Sequence, residues 1–130
     1  MIEEIQTKAA PAPVGPYSQA IRIENCIYCS GQIAIDPSTG LIVGNGDIEK
    51  ETDQVLKNLS AVLNSADASL ENVVKTTIYL QDMTTFNKVN KIYSQYFCFN
   101  ISPARACVEV SSLPKNVLVE IDCIAYIGNI

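Results

Sequence analysis

The segment Val117-Leu118-Val119-Glu120-Ile121-Asp122-Cys123-Ile124-Ala125-Tyr126 is apolar at many positions on both of the faces that a strand presents. Successive side chains of a strand point to opposite sides of its sheet, so this segment has to be covered twice, as happens where sheets meet or where a strand lies between subunits. The chain has little to cover it with. Asp47 can cap a helix whose apolar positions Val55, Leu56, Leu59, Val62, Leu63 and Ala66 form one stripe. A second helix over 85–97 carries Phe86, Val89, Tyr93 and Phe97 on one side, a pattern of core residues more than of a ligand site, with Asn90 at the edge of the stripe. Two helices cover only one face of a mixed sheet of this size. The uncovered face predicts a homo-oligomer, and 130 residues predict one domain, 1–130, of α+β class.

The rest of the chain reads as strands and turns. Ala10-Pro11-Ala12-Pro13-Val14-Gly15-Pro16 is an extended loop whose prolines forbid a helix and prepare a turn before Tyr17. Strands over 20–23 and 27–30 flank a turn at Glu24-Asn25, and strands over 32–35 and 41–43 flank Asp36-Pro37-Ser38-Thr39-Gly40. Gly44-Asn45-Gly46 lacks the spacing of a phosphate-binding loop. Residues 73–80, rich in Val, Thr, Ile and Tyr, fit a strand. The order is ββ(ββ)αβαββ, without internal repeats or linkers.

Near the C-terminus, Pro103-Ala104-Arg105-Ala106-Cys107-Val108-Glu109-Val110 and Val117 to Ile121 form an expected antiparallel hairpin with its turn at 111–114. Val108 then opposes Val117 and Ala106 opposes Val119 on one face, while Arg105 opposes Glu120 and Cys107 opposes Leu118 on the other. A one-residue slip would set Val108 against a polar position. Cross-strand ion pairs are common and worth about 0 to 1 kcal/mol, so by itself the hairpin favours a structural pair over a catalytic one.

Composition removes several classes of function. The charge of −5 repels phosphate polyanions, which makes nucleic acid a poor partner, and Lys88 with Lys91 is the only modest basic cluster. No stretch approaches a membrane span, and Met1-Ile2-Glu3-Glu4 resembles neither a secretory nor an organellar leader, so a cytoplasmic protein is expected. The triplets Asn58-Leu59-Ser60 and Asn100-Ile101-Ser102 then read as chance matches to the glycosylation pattern. Five cysteines read as reduced thiols. Cys26 and Cys29 fall on opposite faces of one strand, and with no histidine to complete a zinc site they read as structural. The absence of histidine also removes the usual base for Ser-His and Cys-His chemistry. Catalysis has to rest on carboxylates, Arg, Lys, Tyr, Cys or backbone groups.

The segments Gly15-Pro16-Tyr17-Ser18-Gln19-Ala20, Cys29-Ser30-Gly31-Gln32-Ile33, Tyr79-Leu80-Gln81-Asp82-Met83, Phe86 through Tyr93, and Pro103-Ala104-Arg105 through Glu120-Ile121 together resemble the RidA (YjgF) family over nearly the whole chain. The resemblance implies a chorismate-mutase-like α+β fold, related to the ferredoxin-like one, with two helices on one face of a mixed sheet. It also implies a homotrimer with clefts between subunits, and hydrolysis of reactive 2-imino or 2-enamino acids to 2-oxo acids and ammonia without metal or cofactor. It assigns Arg105 to the substrate carboxylate, Glu120 to the attacking water, the backbone of Gly31 and Cys107 to hydrogen bonds in the site, and Tyr17 and Asn90 to its completion. These roles suit the residues. Arg offers a planar fork that matches a carboxylate, and a protonated imine carbon is electrophilic enough to need only positioning and proton transfer.

For Glu120 the expected terms oppose each other: Arg105 nearby would lower its pKa, whereas burial would raise it. Two departures from the family pattern bear on substrate range. The link Cys98-Phe99-Asn100-Ile101-Ser102 is about two residues shorter than is typical, and Ala34 stands where a proline is frequent. The other classes to weigh are a non-catalytic regulator binding a small acid, and a ribonuclease or translation inhibitor, which the acidic charge disfavours.

Overall fold

Helix α1 (Ile48–Ser65) begins where Asp47 Oδ1 accepts the N–H groups of Glu49 at 2.9 Å and Lys50 at 3.2 Å, as the capping pattern requires. Its stripe Val55, Leu56, Leu59, Val62 and Leu63 is fully buried; truncating one such leucine to alanine costs about 2 to 5 kcal/mol. The stripe packs on a six-stranded sheet. In the computed structural model, which describes residues 1–128, the strands are β1 (Ile2–Ile5), β2 (Ala20–Ile23), β3 (Cys26–Gln32), β4 (Val73–Leu80), β5 (Ala104–Glu109) and β6 (Val119–Tyr126), and the second helix, α2 (Phe86–Tyr96), lies between β4 and β5 in the chain. Their order across the sheet is β1-β2-β3-β6-β4-β5.

Three expectations need correction. Residues 103–110 and 117–121 do not form a hairpin: β5 pairs in parallel with β4, and β6 runs antiparallel between β3 and β4. The competition is one of burial. β6, fully apolar on one face and half apolar on the other, gains a central place with a hydrogen-bonded neighbour on either side, whereas the more exposed β5 takes the edge, which it reaches through the β4-α2-β5 crossover. The expected pairing of 32–35 with 41–43 is reduced to one bridge, Ile35 with Ile42. Its turn survives, with the Asp36 side chain accepting from Ser38 N at 2.8 Å and Ser38 Oγ at 2.6 Å. The third correction is an addition, since β1 was not foreseen. Ile2-Glu3-Glu4-Ile5 lacks clean alternation because it is an edge strand, exposed at three of its four residues.

Alternation then sorts the side chains. On β6, Val119, Ile121, Cys123 and Ala125 face the helices and are buried; Glu120, Asp122, Ile124 and Tyr126 point the other way. Cys26 and Cys29 do lie on opposite faces, Cys29 buried opposite Cys123, and all five cysteines are free thiols. Asn58 is buried within α1, which removes its glycosylation triplet. The face away from the helices exposes Tyr28 at 46%, Val108 at 42% and Tyr126 at 37%, uncovered by any of the described residues. No helix is long and apolar enough to cross a membrane.

Candidate active site

Glu120 looks into a cavity of about 430 Å³ that Val14, Tyr17, Gly31, Ile33 and Ile35 also line. The register of β3 against β6 slips by a bulge between Cys29 and Gln32, which brings the Gly31 backbone up to the Glu120 side chain. A side chain at position 31 would compete with Glu120 for the same space. A Cβ at position 31 would run into the carboxylate, standing 2.8 Å from its Cδ.

The apolar walls are held by two buried amides. Gln19 Oε1 accepts Thr7 N at 2.7 Å, and its Nε2 donates to the carbonyls of Thr7 at 3.0 Å and Pro11 at 2.8 Å, which fixes the proline loop. Asn58 Nδ2 donates to the carbonyls of Ile33 and Ile35 at 3.1 and 2.9 Å, fixing the opposite wall. Tyr17 is half exposed at the mouth, its hydroxyl accepting Val14 N at 3.3 Å. At the entry to β6, the buried Glu51 accepts Leu118 N at 3.0 Å and ties that strand to the first turn of α1.

Among the described residues, Glu120 has neither a hydrogen-bond donor nor a cation. Burial, and secondarily the Asp122 carboxylate on the same face of β6, push its pKa above the ordinary 4.5. Of the two opposing influences expected, burial therefore acts without Arg105. The reason is topological. Arg105 stands two strands away, paired with Thr76 where Glu120 is paired with Tyr79, and on the other face of the sheet.

On that other face Arg105 meets α2. Its Nη1 donates to Asn90 Oδ1 at 2.7 Å, and its Cζ lies 5.3 Å from the centre of the Phe86 ring and 4.9 Å from that of Tyr93. None of the described acidic residues pairs with it. Cys107 follows on the same face, half-buried; burial pushes its thiol pKa up while Arg105 pulls it down, so it is not an activated thiolate. β5 is an edge strand, so half of its backbone N–H and C=O groups lack a ladder partner.

The six residues singled out in the sequence thus fall into two groups, Tyr17, Gly31 and Glu120 around the cavity, and Asn90, Arg105 and Cys107 at the β5 edge. Phe86 and Tyr93 were read as core, and Tyr93 is buried, yet both rings also flank the guanidinium. Their spacing with Asn90, i, i+4 and i+7 on one helix, was the available signal. Ala34 is buried between the wall residues Ile33 and Ile35. Cys98, Phe99, Asn100 and Ile101 of the shortened link line a hollow with Glu71, at the end of β5 from which Arg105 projects.

A family model described as Endoribonuclease L-PSP matches residues 7–127. A RutC family protein of Synechocystis sp. is 57% identical over 123 residues, 95% of either chain. The human 2-iminobutanoate/2-iminopropanoate deaminase is 48% identical over 124 residues, 95% of this chain and 89% of the relative. A solved structure from Yersinia pestis, described as a protein of unknown function of the conserved Rid family, has a TM-score of 0.94 at 51% identity, covering 98% of this chain and 100% of the other. The chain belongs to the Rid family of endoribonuclease L-PSP-like proteins.

Proposed function

We propose that the chain is a hydrolytic deaminase of reactive 2-imino and 2-enamino acids, 2-iminopropanoate and 2-iminobutanoate among them, built as a homotrimer whose sites are shared between protomers. The observation that carries this reading is the pair of complementary half-sites: an arginine with no acidic partner among the described residues on one face, and a carboxylate with no cation on the other. Within one chain they cannot meet. An uncovered apolar sheet face supplies the reason for protomers to bring them together.

In such a site the substrate carboxylate lies on the Arg105 fork of one protomer, near the backbone of Cys107. Gly31, Tyr17 and Glu120 of the neighbouring protomer close over C2. Glu120 accepts a proton from water as the oxygen attacks C2, giving a tetrahedral amino alcohol. Glu120 returns that proton to nitrogen and then takes up the hydroxyl proton as the C–N bond breaks and the carbonyl forms, so that the products are a 2-oxo acid and ammonia, with one water consumed. An enamine enters after protonation at C3 turns it into the imine. A raised pKa makes Glu120 a stronger base than an ordinary surface carboxylate. The similarity to deaminases at 48% identity supports the same chemistry.

The family description also names an endoribonuclease. A charge of −5 weighs against an RNA substrate. The test is ammonia and oxo-acid release from freshly generated 2-aminoacrylate, with light scattering on the same sample. A trimer that accelerates release is expected; a stable monomer at micromolar concentration removes the shared site, and a rate equal to spontaneous hydrolysis removes the deaminase.

Gly31→Ala probes the carboxylate's placement. The inserted methyl displaces the flexible end of Glu120 and not backbone, so thermal unfolding is expected to change little while turnover falls about 10- to 100-fold.

A further inference from the structure

The guanidinium of Arg105 is held by neutral groups alone among the described residues. A carboxylate partner would fix the position of the guanidinium and offset its charge together. Here the two effects are separated. Asn90 takes one N–H at 2.7 Å, and the rings of Phe86 and Tyr93 stand 5.3 and 4.9 Å from Cζ, which restrains a long flexible side chain without neutralising it. Nε and Nη2 make no hydrogen bond to any described residue.

We propose that Phe86, Asn90 and Tyr93 form a cradle that positions Arg105 for a planar carboxylate and keeps its full charge available to that ligand. This rests on the reading of Arg105 as the carboxylate anchor. The cradle is itself braced. The Tyr93 hydroxyl is 2.8 Å from Thr76 Oγ1, and Thr76 is the fully buried β4 neighbour of Arg105. Tyr93 also stacks on Phe97, with ring centres 4.5 Å apart. Val89, Ile92 and Tyr93 are buried in the core, so Tyr93 serves packing and cradle alike, whereas Phe86 is only half-buried and Asn90 is exposed. A site organised in advance spares the ligand the cost of ordering the arginine, which appears as affinity.

Phe86→Leu keeps apolar bulk and removes the π face; Phe86→Tyr keeps the face. The full-length chain is titrated calorimetrically with pyruvate, and imine hydrolysis is followed in parallel. Phe86→Leu is expected to raise the pyruvate Kd and the substrate KM about three- to tenfold with kcat nearly unchanged, and Phe86→Tyr to stay within about twofold. Asn90→Asp keeps the shape but places a negative charge on Arg105, so pyruvate affinity is expected to fall about tenfold or more. Equal behaviour of the Leu and Tyr variants, or wild-type affinity in Asn90→Asp, overturns the cradle. Arg105→Ala separates the two levels. If it leaves pyruvate affinity intact, the anchor reading fails; if it abolishes binding while the Leu and Tyr variants still agree, only the cradle fails.

Discussion

Glu120→Gln is expected to lower imine turnover by about 10²- to 10⁴-fold while changing the affinity for pyruvate only a few-fold, because general-base assistance is lost and the ligand's carboxylate anchor is kept. The amide matches the carboxylate in size, so the close fit against Gly31 is preserved. What disappears is the proton acceptor. The pH profile gives an independent reading of the same group. In the single chain, burial and Asp122 raise the Glu120 pKa above 4.5, while Arg105 of a neighbouring protomer would act to lower it; the base works only when ionised, so kcat/KM should fall as the pH drops through the value the assembled site sets. That acidic limb should be absent from the residual activity of the glutamine variant. Full turnover in Glu120→Gln would make this carboxylate a structural group and leave the water without a base.

The second large effect concerns where the two halves come from. Arg105→Ala should weaken pyruvate binding and turnover together, and Arg105→Lys should rescue poorly, since an ammonium lacks the fork and fits the aromatic cradle less well. Refolding Arg105→Ala with Glu120→Gln in equal amounts, each nearly inactive alone, should then restore activity. If each site takes Arg105 from one protomer and Glu120 from its neighbour, random mixing leaves about one site in four with both groups intact, and about a quarter of wild-type activity returns. No recovery from a mixture that forms trimers would place both groups in one protomer's site, against the opposite-face arrangement of β5 and β6.

The failed hairpin explains why this test is informative. In sequence, Arg105 and Glu120 appear as partners because two apolar segments separated by a turn match well in an antiparallel register. That argument compares the two segments only with each other. The structure also offers β6 the flanks of β3 and β4, and a strand with one wholly apolar face and Ile124 and Tyr126 on the other gains more burial between them than at an edge. The geometry that first joined Arg105 and Glu120 is overturned, and with it the reading of the two as a cross-strand pair.

The helices, the β2 and β3 strands, the β4 strand, the Asp36 turn and the Asp47 cap were legible because their signals are local, spacings of two to four residues that act before any distant segment is in place. That the two helices would leave the second sheet face uncovered was legible too, since two amphipathic stripes are too few. Tertiary structure alone decided the strand order, the bulge that turns Gly31 toward Glu120, and the aromatic flanks of Arg105. These depend on which of several distant segments wins the same buried position, a comparison of burial and hydrogen bonding across the whole sheet that no local spacing encodes.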